Sequence, residues 1–306
     1  IGITLFGEQA ESLDEPLKRA DLAMYQAKAA GRNTLRFFDP QMQADVSTRV
    51  ALESGLRDAL GQKQFLLYYQ AQVQESGLLI GAEALVRWQH PEHGMVPPAQ
   101  FIPLAEESGL ILTLGHWVLE SACKQLAQWA KLPEMQHLTL AINVSPKQFH
   151  QRDFVERVLA VLERTGAKPQ RLKLELTESV LIANIEDVIL KMSALKQQGV
   201  CFSIDDFGTG YSSLSYLKRL PLDQLKIDKS FVQDILTDSN DAAIAKMVIV
   251  LADSLGLAVI AEGVETAAQR DFLARQGCYA YQGYLFSRPL PIKAFEAFAQ
   301  TEQFAL

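Results

Sequence analysis

Cysteine is scarce: Cys123, Cys201 and Cys278 are the only three in 306 residues, and no two lie close together. That spacing excludes a disulfide framework or a paired-cysteine zinc knuckle and points to a reducing, cytoplasmic compartment. No run approaches eighteen uncharged apolar residues, so no transmembrane helix is expected. No charged-then-apolar leader is present either, and the chain begins abruptly at "IGITLFGEQ", without Met. It reads as a fragment of a longer protein, whose upstream part could carry sensor domains or an inner-membrane anchor. Histidine is sparse, with five residues and no HExxH-type spacing, which removes the commonest zinc-hydrolase signature. A basic excess is also lacking. The formal charge is −7, a poor basis for gripping long nucleic acid but compatible with a small phosphorylated ligand held through cations. What remains is an ordinary globular composition, 48% apolar and 21% charged, with ample material for one large domain or two smaller ones.

Residues 1–38 differ from the rest. A strand-like "IGITLF", a helix over about 14–30 with apolar Leu17, Ala20, Met24 and Ala27, a stop at Gly31 and a second short strand "LRFF" cannot bury a core alone. They read as the tail of another domain or a decoration on the main one. Residues 39–62, with Val46, Val50, Leu56 and Leu60 among polar neighbours, read as a helical linker. From residue 63 to 306 the pattern becomes short apolar runs alternating with helical stretches. Strands are expected near 65–73, 79–88, 138–145, 171–177, 199–205, 224–228, 257–262 and 278–282. Helices are expected near 115–130, 152–165, 185–198, 240–256 and 266–276. Eight such strands make the arithmetic of a TIM-like (β/α)₈ barrel, an α/β fold, with a doubly wound open sheet as the runner-up. Only a few residues around Glu75–Gly77 separate the first two strands, which is hairpin spacing and implies one antiparallel strand.

Side chains alternate across a strand, so parity sorts each strand into two faces. In "HLTLAINVS" Leu138, Leu140, Ile142 and Val144 oppose Asn143; in "RLKLELT" three leucines oppose Lys173 and Glu175; in "QLKID" Leu225 and Ile227 oppose Lys226. The bulky face suits a helix layer and the polar face a barrel interior, with the polar groups late in their strands, where barrel enzymes carry their chemistry. Glu83, Asn143, Glu175, Asp205, Asp206, Lys226, Glu262 and Gln282 would then converge on one mouth. Taken singly, each carboxylate reads as well as a helix cap or a solvated loop residue, and Asp206 with Gly208 and Gly210 as a tight turn. Together, five carboxylates repel. A pair 4 Å apart costs about 4 kcal/mol at an effective dielectric near 20, and one lysine offsets too little of that. Divalent cations would compensate, and an all-oxygen donor set suits Mg²⁺ or Mn²⁺ over Zn²⁺. A phosphate-cradle reading of "DDFGTGYSS" is weakened because the loop lacks a P-loop lysine.

Seven stretches in order resemble the EAL-domain phosphodiesterases of cyclic di-GMP: "EALVRW" at 83–88, "NVSPKQF" at 143–149, "LELTES" at 174–179, "IDDFGTGYSSLSYL" at 204–217, "LKIDKSFV" at 225–232, "AEGVET" at 261–266 and "QGYLFSRP" at 282–289. The resemblance covers about residues 50–300. Residues 1–38, with "RADLAMYQAKAAGRN" at 19–33, resemble the C-terminal end of a GGDEF (diguanylate cyclase) domain without its signature, so this fragment is not expected to make cyclic di-GMP. The resemblance implies a barrel with one antiparallel strand and hydrolysis of cyclic di-GMP to linear pGpG by a water activated between two Mg²⁺ or Mn²⁺ ions. Glu83, Asn143, Glu175 and Asp205 would bind one ion. Asp205, Asp206 and Glu262 would bind the other. Lys226, or Glu262 as base, would activate the water. Gln70, Arg87 and Gln282 would lie near substrate. Glu178 and Glu265 would anchor the loop 207–213, including Phe207, Gly208, Thr209 and Gly210. A homodimer formed through that loop and the helix after it is a further implication. A non-catalytic cyclic di-GMP receptor or dimerisation module is the alternative, and no metal position departs from the family pattern.

Overall fold

Short apolar runs flanked by helical stretches suit an open sheet covered on both faces or one that closes on itself, and here the sheet closes. The computed structural model describes residues 1–6, 14–29, 31, 33–181, 184–208 and 214–301. In chain order, β1 (Gly2–Ile3), α1 (Asp14–Ala29) and β2 (Arg36–Phe37) precede α2 (Pro40–Gly61). Next come β3 (Phe65–Gln74), β4 (Leu79–His90), β5 (Gly94–Val96), α3 (Pro98–Ser108), α4 (Ile111–Trp129), β6 (Thr139–Val144), α5 (Pro146–Phe149) and α6 (Phe154–Thr165). These are followed by β7 (Leu172–Thr177), α7 (Ile185–Gln197), β8 (Cys201–Phe207), α8 (Leu214–Leu217), β9 (Gln224–Ile227), α9 (Lys229–Gln233) and α10 (Ser239–Leu255). The chain finishes with β10 (Ala258–Ala261), α11 (Ala267–Arg275), β11 (Ala280–Gln282), β12 (Leu290–Pro291) and α12 (Ile292–Thr301).

Eight strands close in the order β3, β4, β6, β7, β8, β9, β10, β11 and back to β3. All neighbours are parallel except at β3, which runs antiparallel to both β4 and β11. The cause is local. Gly77 at φ 77° turns the chain, its N–H donating to Gln74 O at 2.9 Å, too short a link for a parallel crossover. All eight strands expected from the pattern are present, and the open-sheet alternative is excluded by closure. Helices α3, α5, α8, α9 and α12 and the short β5 and β12 were not among the elements expected from the pattern, lying outside the alternating apolar runs.

The parity argument holds in three dimensions. Leu138, Leu140, Ile142, Val144, Leu172, Leu174, Leu176, Leu225 and Ile227 are all buried in the core shared with the helix layer. That layer follows from spacing: in α4, Ile111, Leu114, Val118, Ala122, Leu126 and Trp129 recur every three or four residues and are buried. Helix ends carry recognisable chemistry. Gly109, Gly166 and Gly256 adopt left-handed φ at the ends of α3, α6 and α10, and Ser145–Gln148 and Thr266–Gln269 form capping boxes at α5 and α11.

Before the barrel, the expected helical faces are partly kept, with Ala27 and Leu56 buried as the pattern has them, and partly shifted. In α1 the buried side chains are Ala23 and Ala27, with Leu17 exposed. In α2 they are Leu52, Leu56 and Ala59, with Val50 exposed and the side chain of Val46 outside the described ones. The reason is what each helix covers. α2 packs Leu52 and Leu56 into a second core with Phe65, Trp88, Val96, Phe101 and Leu104, so it is attached to the barrel wall rather than spanning free space. Arg49 of α2 joins Glu107 of α3 at 2.5 Å and lies over the ring of Tyr25 in α1. Among the described residues, no helix is long and apolar enough to cross a membrane.

Candidate active site

Strand parity carries Glu83 (β4), Glu175 (β7), Ser203 and Asp205 (β8), Lys226 (β9) and Gln282 (β11) into the barrel, and β10 delivers Glu262 one residue past its end. Lys226 is wholly buried, and four carboxylates face its ammonium. Nζ lies 2.5 Å from Glu262 Oε1, 2.6 Å from Glu175 Oε2, 3.1 Å from Asp205 Oδ1 and 3.8 Å from Glu83 Oε2. Burial alone would pull the Lys226 ammonium down, but Glu175 and Glu262 hold it well above the usual lysine value. The carboxylates outnumber it. Burial first, then mutual repulsion, raises Glu175 to about 8 and Glu262 well above an ordinary carboxylate.

Asp206 resolves an apparent conflict, because adjacent residues on a regular strand point to opposite faces. The strand does not end near Asp205 as its expected range, 199–205, has it, but bends at Asp206 and continues to Phe207 through an irregularity. Ile204 pairs with Leu225 while Phe207 pairs with Ile227, so β8 holds one residue more than β9 between the two pairs. Asp206 takes φ 51°, a conformation that a short polar side chain tolerates better than most. Its N–H donates to Asp205 Oδ1 at 3.0 Å. Burial, Asp205 and a side-chain bond with Asp228 raise its carboxyl to about 7. Asp206 therefore sits at the site but leans towards Asp228, away from Lys226.

Amides hold the far side. Glu83 Oε1 accepts from Asn143 Nδ2 at 2.6 Å and Glu83 Oε2 from Gln282 Nε2 at 2.5 Å. Gln282 Nε2 also donates to Gln70 Oε1 at 3.2 Å, and Gln70 Nε2 donates to the carbonyl of Ser287 at 3.1 Å. Arg87 stands at the rim over the Tyr68 ring, with burial drawing its guanidinium below the usual value. A cleft of about 500 Å³ opens beside these groups, lined by Leu85, Pro98 and Ile102 on one side and Asn143, Asp205 and Asp206 on the other. That volume lies within the usual range for small-ligand pockets.

The loop after β8 is tied to the site by Glu178, whose Oε1 accepts from Gly208 N–H at 2.8 Å. Phe207 is buried, and at Gly208, φ 99°, a Cβ would come within 3.2 Å of the Phe231 ring and 3.6 Å of Ile244 Cγ2, so glycine suits the position. Thr209 and Gly210 lie outside the described residues. Glu265 is exposed just before α11, with its backbone N–H donating to Gln269 Oε1. Among the described residues nothing links its carboxylate to the loop.

Three partners escaped sequence reasoning: Ser203, whose hydroxyl donates to Glu175 Oε1 at 3.4 Å; Asp228, bonded to Asp206; and Gln72, whose Nε2 donates to Gln282 Oε1 at 3.0 Å. Ser203 and Gln72 stand two residues from Asp205 and Gln70 on the same strands, and Asp228, two residues after Lys226, lies just past β9 as the N-cap of α9, so the alternation points to all three.

Among the described residues no three acidic, histidine or cysteine side chains stand in ready-made coordination geometry, because four carboxylates are drawn onto Lys226. The donor chemistry nevertheless fits hard divalent cations: carboxylate oxygens, an asparagine amide and a surplus of negative charge that now favours protonation.

Comparison with known proteins is consistent with this geometry. The EAL domain model matches residues 53–289. The bifunctional diguanylate cyclase/cyclic di-GMP phosphodiesterase MucR of Pseudomonas aeruginosa is 44% identical over 292 residues, 95% of this chain and 42% of that protein. The cyclic di-GMP phosphodiesterase NbdA of the same organism is 43% identical over 305 residues, 99% of this chain and 39% of that protein. The chain thus spans less than half the length of these curated relatives. Among solved structures, the PaMucR phosphodiesterase in complex with c-di-GMP superposes with a TM-score of 0.78 at 45% identity, covering 80% of this chain and 99% of that one.

Proposed function

The chain belongs to the EAL domain family, and we propose that it is a divalent-metal-dependent phosphodiesterase that hydrolyses cyclic di-GMP to linear pGpG. The observation that carries this reading is the buried Lys226 ammonium among Glu83, Glu175, Asp205 and Glu262, with Asp205 of that group lining a small-ligand cleft together with Asn143 and Asp206. Glu83, Asn143, Glu175 and Asp205 would hold one Mg²⁺ or Mn²⁺, and Asp205, Asp206 and Glu262 a second. When bound, such ions neutralise developing phosphoryl charge and lower the pKa of water.

The chain's own residues do the rest. Lys226, fixed by Glu175 and Glu262, keeps its proton on Nζ and positions the attacking water, whose proton passes to Glu262 as the base. The water oxygen bonds to phosphorus, one P–O3′ bond breaks, the departing 3′ oxygen takes a proton from solvent water to become a hydroxyl, and Glu262 returns its own proton to solvent. Arg87 faces a phosphate with a fork able to bond two oxygens, and Gln70 and Gln282 border the substrate. Glu178, through Gly208 N–H, steadies the loop that follows Asp206. A homodimer through the loop after Asp206 and the helix behind it is part of this reading, with exposed Leu236, Met247 and Val250 on and before α10 as further apolar surface.

The test is incubation of purified chain with cyclic di-GMP and Mn²⁺ or Mg²⁺. Conversion to pGpG is expected, and binding without turnover would replace this reading with that of a receptor.

A further inference from the structure

Glu83 can only accept hydrogen bonds when ionised, so the amide of Gln282 must present its NH₂ end to it, as Nε2 does at 2.5 Å. The carbonyl end of Gln282 is then turned away from the mouth into a barrel interior where the residue is 4% exposed. A buried amide oxygen needs a donor. Gln72 supplies it, with Nε2 3.0 Å from Gln282 Oε1. The register makes the contact unavoidable, since β3 pairs Gln72 directly with Gln282 of β11 on one side and with Gly81 of β4 on the other. Gln70, two residues earlier on the same face, pairs with Glu83. Gln72 is itself 1% exposed and touches none of the four carboxylates around Lys226.

We infer that Gln72 is a positioning residue of the active site: by donating to Gln282 it selects the orientation of the Gln282 amide, and through it holds Glu83 in place for a divalent cation. The chain of donors runs one way, from Gln72 to Gln282 to Glu83, and a carboxylate ends it. An acceptor in place of Gln72 would draw the Gln282 NH₂ group towards itself and leave a carbonyl facing Glu83. The inference rests on the reading of Glu83 as a metal ligand.

The test uses the full chain and calorimetric Mn²⁺ binding beside cyclic di-GMP hydrolysis, with Q72L, Q72E, Q282L, Q72L/Q282L and E83Q. Loss of the donor in Q72L is expected to weaken Mn²⁺ binding about tenfold, the low end for partners that orient metal ligands, and Q72E to weaken it further. The KM for cyclic di-GMP at saturating Mn²⁺ should stay within a factor of about two for Q72L, because Gln72 does not reach the cleft. Since Gln72 acts only through Gln282, Q72L in the Q282L background should change Mn²⁺ affinity less than about twofold. Additive losses in the double variant, or unchanged Mn²⁺ binding in Q72L, would overturn the inference while leaving the metal assignment standing. Unchanged Mn²⁺ binding in E83Q would overturn the assignment and the inference together. If Q72E does not fold, Q72L and the double variant decide the matter.

Discussion

Replacing Lys226 by methionine separates two roles that the geometry assigns to one side chain. The ammonium is wholly buried among four carboxylates at 2.5, 2.6, 3.1 and 3.8 Å, so removing it leaves like charges facing one another across the barrel. Breaking a buried ion pair by deleting one partner costs about 3–5 kcal/mol. At low pH the cost is avoided, because the carboxylates take up protons. The sign follows from their raised values. Glu175 titrates near 8 in the folded chain against an ordinary 4.5, so stability of the metal-free protein falls as pH rises between those values. Without Lys226 the carboxylates are pushed higher still and the fall is steeper. Urea unfolding of metal-free wild type and K226M should therefore give similar midpoints near pH 5 and widely separated ones near pH 8. Saturating Mn²⁺ should restore most of the stability at pH 8 but not turnover, which should remain down by about 10²–10⁴ if Lys226 also positions the water. A stability gap independent of pH, or activity restored along with stability, would refute this account of Lys226.

Metal binding should itself depend on pH. Asp206 near 7 and Glu175 near 8 must lose protons to act as ligands, so Mn²⁺ affinity should rise from pH 6 to 8 with measurable proton release in calorimetry; a flat profile would contradict the raised values. Glu178→Ala leaves the Gly208 N–H without its acceptor, and a loss of about 1–3 kcal/mol in loop anchoring should lower turnover roughly tenfold or more with little change in global unfolding. Equal activity would detach that loop from catalysis. Gly115→Ala tests the support beneath Asn143: a Cβ there would stand 1.7 Å from Gln148 Nε2, the residue that completes the capping box with Ser145. Overpacking should cost about 1–3 kcal/mol, more than the ~1 kcal/mol that alanine gains over glycine in a helix, so a higher melting temperature would refute it.

Much of the site was legible because strand parity is a strict code. Glu175 two residues after Lys173, Asn143 among alternating leucine and isoleucine, and Lys226 between Leu225 and Ile227 declare their faces without coordinates. Gln72 was equally legible in principle, two residues after Gln70, but nothing in one strand shows what lies across from it. Only the pairing of β3 with β11 brings it to Gln282. Asp206 was expected at the mouth, but how it gets there was not legible from parity. Parity places it opposite Asp205, and the extra residue in β8 against β9, with φ 51°, is a departure from the regular strand that parity assumes. The buried faces of α1 and α2 were read only in part, Ala27 and Leu56 rightly and Leu17 and Val50 not, because a helix shows which residues are apolar before it shows which surface will cover them.

The sequence by itself determined the element types, the eightfold alternation, the antiparallel first strand and the acidic character of the mouth, since these depend on period, turn length and charge within short stretches. The tertiary structure alone decided that one buried lysine gathers four carboxylates, that Asp206 turns to Asp228, and that a line of amides ends on Glu83. Those contacts join residues 21 to 217 positions apart, and their energies exist only once barrel closure has removed the water between them.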